Sequence, residues 1–147
     1  MEKITKELIK ELFKKYNTLY FDNELRLPRF TTYKGRRTYG VYSYKIDKKT
    51  KKLKNERFAI ANNVNWSDDS LRNIIVHEMI HCYIAQKNIK DNRDHGKVFK
   101  QMMNDYNRNY GLNITVKIDN KQLPFTDQKP RTSLTQKLIK CFKKIVG

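Results

Sequence analysis

Residues 73–83 read NIIVHEMIHCY and place two histidines, His77 and His81, four positions apart, with Glu78 directly after the first. On an α-helix, residues four apart lie on the same face, so both imidazoles point the same way. Two imidazoles in that arrangement can hold one Zn²⁺, and Glu78 is near enough to reach a water on the metal without being a ligand. The stretch therefore predicts a helix that carries a metal site.

A catalytic zinc needs three protein ligands and one open position, so a third ligand is expected downstream. The chain has three histidines, and the last of them, His95, follows His81 by fourteen residues. That gap allows the helix to end, a loop to reverse and a second helix to begin. No glutamate follows Glu78, which excludes a downstream glutamate ligand. His95 is the preferred third ligand because imidazole binds zinc well. The aspartates that remain as alternatives are Asp91, Asp94 and Asp105.

Hydrophobic patterning predicts an α+β fold around this helix. Residues 3–17 carry an apolar stripe at helical spacing, and residues 29–61 are predicted to form a small antiparallel sheet. Ser67 is a suitable N-cap for the metal-site helix, which we expect to run to about Gln86. A second helix is expected over residues 95–111, because Gly111 suits its C-terminal cap.

The remaining sequence divides into a domain of residues 1–118 and a basic tail of residues 119–147. Residues 113–118 are predicted to be the last strand of the domain. From Ser133 onward, the tail is predicted to form a short amphipathic helix. Three roles stay open for this helix: docking on the core, which is the plainest interpretation, lying on an anionic membrane, or helping to hold nucleic acid.

The charge of the chain indicates a polyanionic partner. Thirty-two Lys and Arg against fifteen Asp and Glu leave +17, which favours nucleic acid ahead of an anionic membrane surface. No apolar run is long enough to span a bilayer, and the start shows no signal-peptide core. Two cysteines do not make a disulfide framework. We therefore expect a cytoplasmic monomer without a membrane partner, and the many Lys and Asn favour an AT-rich bacterial or phage genome.

A basic cluster in residues 33–57 is the predicted site of contact with DNA. It holds ten Lys and Arg against two acids and interleaves tyrosines, so cations could contact phosphates while aromatic rings stack on unpaired bases. The alternative is a solvated hairpin tip with its tyrosines in the sheet core. The candidate contacts are Lys48, Lys49, Lys51 and Lys52, together with Arg36 and Arg37.

Four segments in order resemble the SprT-like zinc metalloproteases, whose eukaryotic members include spartan. They are LYFDNEL, YGVYSY, IIVHEMIHCY and DHGKVFKQMM, and the resemblance covers residues 1–118. It implies a compact, zincin-like metalloprotease core in which His77, His81 and His95 bind zinc and Glu78 is the general base. It also implies cleavage of proteins near DNA or crosslinked to it. No C-x-x-C pair occurs in these residues, so the ligands of the zinc ribbon found in many bacterial members are missing from them.

Two functions from different classes follow. The first is a zinc-dependent endopeptidase that acts on DNA-associated or DNA-crosslinked proteins, with DNA and a protein substrate as partners. The alternative is a nucleic-acid-binding module whose zinc is structural. For the endopeptidase, the backbone of residues 58–63, FAIANN, is a candidate edge for pairing with an extended substrate. A Tyr or Arg is the expected donor to the oxyanion, with the choice open.

Overall fold

The computed structural model describes residues 3–126, which form three helices and one three-stranded sheet. The strand order in the sheet is β1-β3-β2. This content confirms the predicted α+β class. The elements in chain order are α1 (Lys6–Tyr20), β1 (Arg29–Tyr33), β2 (Gly40–Ile46), β3 (Leu53–Ala61), α2 (Asp68–Gln86) and α3 (Lys97–Tyr110).

Short polar side chains begin the first two helices, and a glycine ends the third. The Thr5 hydroxyl oxygen accepts from the Leu8 N–H at the start of α1. Ser67 and Ser70 form a reciprocal capping box before α2, as the sequence predicts for Ser67. Gly111 follows α3 with φ of 66°, a left-handed conformation that glycine adopts without steric cost.

The sheet is mixed, so the prediction of an antiparallel sheet is wrong for β1. Strand β3 pairs antiparallel with β2 but parallel with β1. The reason is the path from β1 to β2, which crosses the end of β3 instead of turning back as a hairpin. The side-chain amide of Asn63, just after β3, accepts from the Gly35 N–H at 2.7 Å and donates to the Gly35 carbonyl at 2.8 Å. A Cβ atom at Gly35 would lie 2.6 Å from the Phe125 ring, so this crossing requires glycine.

Residues 113–118 do not form a strand, contrary to the sequence prediction. Their backbone is held instead by side chains of the neighbouring helices, described below. Further along, Phe125 forms an isolated bridge with Val64 and stacks on Tyr39 at a ring distance of 4.5 Å. The division of the chain at residue 118 stays a prediction. The predicted tail helix lies outside the described residues.

Helix α2 is the centre of the core. It contacts β2, β3, α1 and α3, and its residues Ile75, Val76, Met79 and Ile80 are completely buried. Each such side chain stabilises the fold by about 1.5–3 kcal/mol when it leaves water. A helix buried on nearly all sides has little room for polar groups, yet His77 and Glu78 on α2 are also buried. No helix in residues 3–126 is long and apolar enough to cross a membrane.

Candidate metal centre

Helix α2 and the turn before α3 bring three imidazole nitrogens together. His81 Nε2 lies 3.1 Å from His95 Nε2, which lies 3.2 Å from His77 Nε2. Three nitrogens bound to one tetrahedral zinc at 2.0–2.1 Å would be about 3.3 Å apart. The spacing in this chain therefore fits a single zinc ion.

The positions of the protons on these imidazole rings also favour the binding of a cation between them. His77 Nδ1 lies 2.8 Å from the Thr115 carbonyl oxygen, and a carbonyl only accepts hydrogen bonds. His77 Nδ1 therefore carries the ring proton, and its Nε2 presents a lone pair to the centre. His95 Nε2 has at most one proton and cannot donate to both neighbours at once. A donor set of converging lone pairs, with the far ring nitrogen of one ligand fixed by a backbone carbonyl, is the usual arrangement of histidine ligands.

All three histidines are neutral near pH 7. Burial, reinforced by the neighbouring His81, lowers the pKa of His77 to about 3. Burial, reinforced by His95, lowers the pKa of His81 to about 4. The pKa of the more exposed His95 is also lowered, mainly by burial. Neutral imidazole is the form that binds a metal, so the folded chain holds its ligands ready at neutral pH.

Glu78 lies beside the three nitrogens, with its Oε1 4.0 Å from His77 Nε2. Burial raises the pKa of Glu78 to about 8, although the Tyr42 backbone N–H donates to the carboxylate and opposes that rise. When no cation is bound, Glu78 and His77 do not form an ion pair, because both side chains are mostly neutral near pH 7. A divalent cation at the centre would lower the pKa of Glu78 again, since a nearby positive charge favours the carboxylate.

Gly40 on β2 allows the sheet to lie against Glu78. A Cβ atom at Gly40 would be 2.9 Å from Glu78 Cγ and 3.2 Å from its Oε1. Sequence reasoning missed this residue as part of the site. A glycine inside a strand is the available signal, since it marks a close approach of backbone to another group.

The aspartates considered as alternative third ligands have other roles in the structure. Asp91 accepts from the backbone N–H groups of Val98 and Phe99 at the start of α3. Asp105 pairs with Arg108 at 2.7 Å. Asp94 acts on His95 through its charge, which opposes the fall in that pKa. Within residues 3–126, the three histidines are the group of side chains placed to share a metal ion.

A cleft of about 660 Å³ opens in front of the histidines. One wall is β2, which is an edge strand. The Tyr39 carbonyl accepts from the Ala61 N–H, so the backbone N–H and carbonyl groups of every second residue of β2 point to β3. The backbone groups of Gly40 and Tyr42 therefore point away from β3 and face the cleft. Residues 115–118 also line the cleft. The expectation that residues 58–63 offer the free edge is wrong, because β3 has strands on both sides.

The predicted DNA contacts fall into two exposed groups. Lys48, Lys49, Lys51 and Lys52 form the turn between β2 and β3, whereas Arg36 and Arg37 lie in the link before β2. Arg37 lines the cleft, while the lysine turn lies about 20 Å from Gly40 along β2 at 3.4 Å per residue. Of the tyrosines in this region, Tyr44 is exposed and Tyr39 is buried. Their contact with nucleic acid stays a prediction.

The fold and this site define an α+β domain with a three-histidine centre and an adjacent buried glutamate. The family model for the SprT-like family matches residues 9–118, and the chain belongs to that family. This finding confirms the resemblance seen in the sequence motifs and supports a metalloprotease-like domain. No curated protein and no solved structure matches the chain.

Proposed function

We propose that this domain is a zinc-dependent endopeptidase that acts on proteins associated with DNA or crosslinked to it. The observation that carries the proposal is the convergence of three histidine Nε2 atoms. His95 Nε2 lies 3.1 Å from His81 Nε2 and 3.2 Å from His77 Nε2, and Glu78 Oε1 lies 4.0 Å from His77 Nε2. A purely structural metal site has no need of that buried carboxylate. His77, His81 and His95 would hold the zinc.

Zinc in such a site supplies Lewis acidity for a scissile carbonyl and lowers the pKa of a water molecule to about 7. Glu78 accepts the proton of the attacking water at a carboxylate oxygen. As the peptide C–N bond breaks, the same oxygen gives that proton to the departing amine nitrogen. The oxygen of the water forms a bond to the scissile carbonyl carbon, so the products are a carboxylic acid and an amine, and Glu78 returns to its starting state.

The free edge of β2 is the proposed support for the substrate backbone. An extended peptide can add to an exposed strand through main-chain hydrogen bonds, which position the chain without selecting its sequence. Gly40 offers backbone groups to the cleft next to Glu78, so a peptide that pairs there passes the proposed reaction centre. This arrangement suits a peptidase that cleaves many different proteins.

The donor to the developing oxyanion would be a cleft residue whose hydroxyl or guanidinium group is not already hydrogen-bonded within the protein. The Tyr39 hydroxyl is ruled out, because its oxygen is already within hydrogen-bond distance of the Leu123 carbonyl and the Asn120 side chain. The Tyr42 hydroxyl is occupied as well, since it donates to Glu56 at 2.6 Å. Exposed Tyr44 and the arginines at the cleft remain as donors of the expected type. The arginines that line the cleft are Arg37 and Arg93.

The DNA part of the proposal rests on charge and its placement. The chain carries +17, and four exposed lysines crowd the turn between β2 and β3. Cations on such a turn can contact phosphates, and exposed Tyr44 is available to stack on an unpaired base. DNA held there would bring its bound proteins to the cleft.

Cleavage of a DNA-binding protein with and without DNA tests the proposal. Zinc-loaded protein should cut the substrate, and DNA that binds both should accelerate the reaction. The variant with Lys48, Lys49, Lys51 and Lys52 changed to Ala should lose the acceleration and keep its rate without DNA. If zinc-loaded protein binds DNA but cuts nothing, the alternative of a nucleic-acid-binding module with a structural zinc is correct instead.

A further inference from the structure

Within residues 3–126, three asparagines hold the backbone of another residue in the same way. In each case the side-chain oxygen accepts from the N–H of the held residue, and the side-chain nitrogen donates to its carbonyl. Asn17 holds Leu25 in this way at 3.1 and 3.0 Å, and Asn63 holds Gly35 at 2.7 and 2.8 Å. Asn107 holds Ile114 at 2.8 and 2.9 Å.

The third of these pairs lies next to the metal centre. Ile114 is buried, and the following residue, Thr115, is the one whose carbonyl accepts from His77 Nδ1 at 2.8 Å. Asn107 fixes the peptide groups on both sides of Ile114. The peptide group before Ile114 supplies the N–H that Asn107 accepts from, and the one after it supplies the carbonyl that Asn107 donates to. Only the two backbone dihedrals of Thr115 then separate the fixed peptide from the oxygen that orients His77.

A second contact holds the same segment from α2. The Asn73 side-chain oxygen accepts from the Asn113 N–H at 3.2 Å. Residues 113–115 are therefore tied to α3 through Asn107 and to α2 through Asn73, one turn before His77 on the same helix. These contacts explain why the segment has a defined course without belonging to the sheet.

We propose that Asn107 is a positioning residue of the metal centre, acting on His77 through the Thr115 carbonyl. The inference rests on the proposed metal site. Without the Asn107 contacts, the Thr115 carbonyl can turn away, and His77 loses the acceptor that keeps its proton on Nδ1. A proton that moves to Nε2 occupies the lone pair that a metal needs. Loss of such an outer partner typically weakens metal binding about 10–100-fold.

Asn17 provides a matched control within the same chain. It makes the same two hydrogen bonds, and it lies on α1, which supplies none of the three histidines. Asn107→Ala and Asn17→Ala each leave a buried backbone N–H and carbonyl without their partner, so both should destabilise the fold. Of these two variants, only Asn107→Ala should reduce zinc affinity, by about 10–100-fold. Competition with a chelating dye at fixed pH measures the affinity.

A readout on metal-free protein separates this inference from the proposed function. In the metal-free wild type and in Asn17→Ala, NMR should show a His77 Nδ1–H proton protected from exchange by its hydrogen bond to Thr115. In Asn107→Ala that signal should be lost or exchange rapidly. If the wild type binds no zinc, the proposed metal function fails, and this signal still decides whether Asn107 positions His77.

Asn73→Ala is the second variant, because Asn73 is only half-buried and its loss removes a single hydrogen bond. It should weaken zinc binding in the same direction and by less than Asn107→Ala. The inference is overturned if Asn107→Ala and Asn17→Ala change zinc affinity equally, or if the His77 signal survives in Asn107→Ala. Should Asn107→Ala not fold, unchanged zinc affinity together with an intact His77 signal in Asn73→Ala overturns it.

Discussion

The backbone of Gly40 faces the side chain of Glu78 so closely that an added Cβ atom would lie 2.9 Å from Glu78 Cγ. Two residues further along the same strand, the Tyr42 backbone N–H opposes the rise in the pKa of the Glu78 carboxyl. Strand β2 therefore limits the position of Glu78 by contact at Gly40. The proposed base is positioned by the sheet as much as by the helix that carries it.

Gly40→Ala should consequently disturb catalysis without removing the metal. The new methyl group must displace the Glu78 side chain, and a misplacement of about 1 Å in a reacting group can cost 10²-fold in rate. We expect kcat/KM for peptide cleavage to fall at least about 10-fold while zinc content stays at the wild-type level.

Gly111→Ala is the matched control for that change. Gly111 has φ of 66° and open space around its missing side chain, so alanine there strains the backbone without touching the site. It should lower stability by about 1 kcal/mol and leave kcat/KM unchanged. Equal loss of rate in both variants would show that Gly40 acts through general stability and not through Glu78.

His95→Ala should release the metal or weaken its binding strongly, because two imidazoles are left where three converge. Asp91→Asn is the companion variant, since Asp91 accepts from backbone N–H groups at the start of α3. It should cost some stability and keep the metal. Metal analysis after dialysis against a weak chelator measures both. Full zinc content in His95→Ala with loss in Asp91→Asn would assign the third ligand to the aspartate.

The burial of Glu78 predicts that the stability of the metal-free protein depends on pH. Folding raises the pKa of Glu78 from 4.5 to about 8, so the folded state keeps a proton that the unfolded state loses between these values. This contribution to stability is complete below pH 4.5 and is lost as the pH rises towards 8, by at most about 1.4 kcal/mol per pH unit.

Glu78→Gln removes that titration. The free energy of unfolding of Glu78→Gln minus that of the wild type should therefore increase between pH 4.5 and 8. The histidines titrate in both proteins and cancel in the difference. Chemical denaturation of metal-free protein across this range provides the measurement. A difference that stays flat between pH 4.5 and 8 would contradict the raised pKa of Glu78.

The parts of the fold that depend on neighbouring residues in sequence were predictable. Helix α2 begins after Ser67 and ends at Gln86, as its cap and apolar spacing indicate. His77 and His81 share a face because they are four apart on that helix. His95 joins them in space, as expected from the length of the loop that returns the chain.

The parts that depend on distant contacts were not predictable. Strand β1 runs parallel to β3, and the chain that follows β1 is held at the end of β3 by the contact of Gly35 with Asn63, which no local pattern reports. The strand predicted for residues 113–118 does not form, because the backbone of residues 113–115 is held by Asn73, Asn107 and the His77 side chain. The approach of Gly40 to Glu78 likewise joins residues that are far apart in the sequence.

The lysine turn between β2 and β3 should contribute to the salt dependence of DNA binding. The slope of log K against log salt is about −0.9 per neutralised phosphate on duplex DNA and about −0.7 on single strands. Changing Lys48, Lys49, Lys51 and Lys52 to Ala should make the slope shallower and leave zinc content unchanged.

The control for that variant removes the same charge from α1, where four lysines are also exposed. Changing Lys6, Lys10, Lys14 and Lys15 to Ala should leave the salt slope nearly unaltered. Fluorescence anisotropy at several salt concentrations measures both variants. Slopes that change equally would mean that total charge governs binding, and the assignment of the lysine turn as the DNA contact would be withdrawn.

The role of Glu78 as the general base is tested most directly by comparing wild-type and Glu78→Gln protein at equal zinc content. The substitution keeps the size and polarity of the side chain and removes its ability to take a proton. We predict about one zinc per chain in both proteins and a cleavage rate at least about 10²-fold lower in Glu78→Gln. Cleavage at the wild-type rate by contaminant-free Glu78→Gln protein with full zinc content would contradict the role assigned to Glu78.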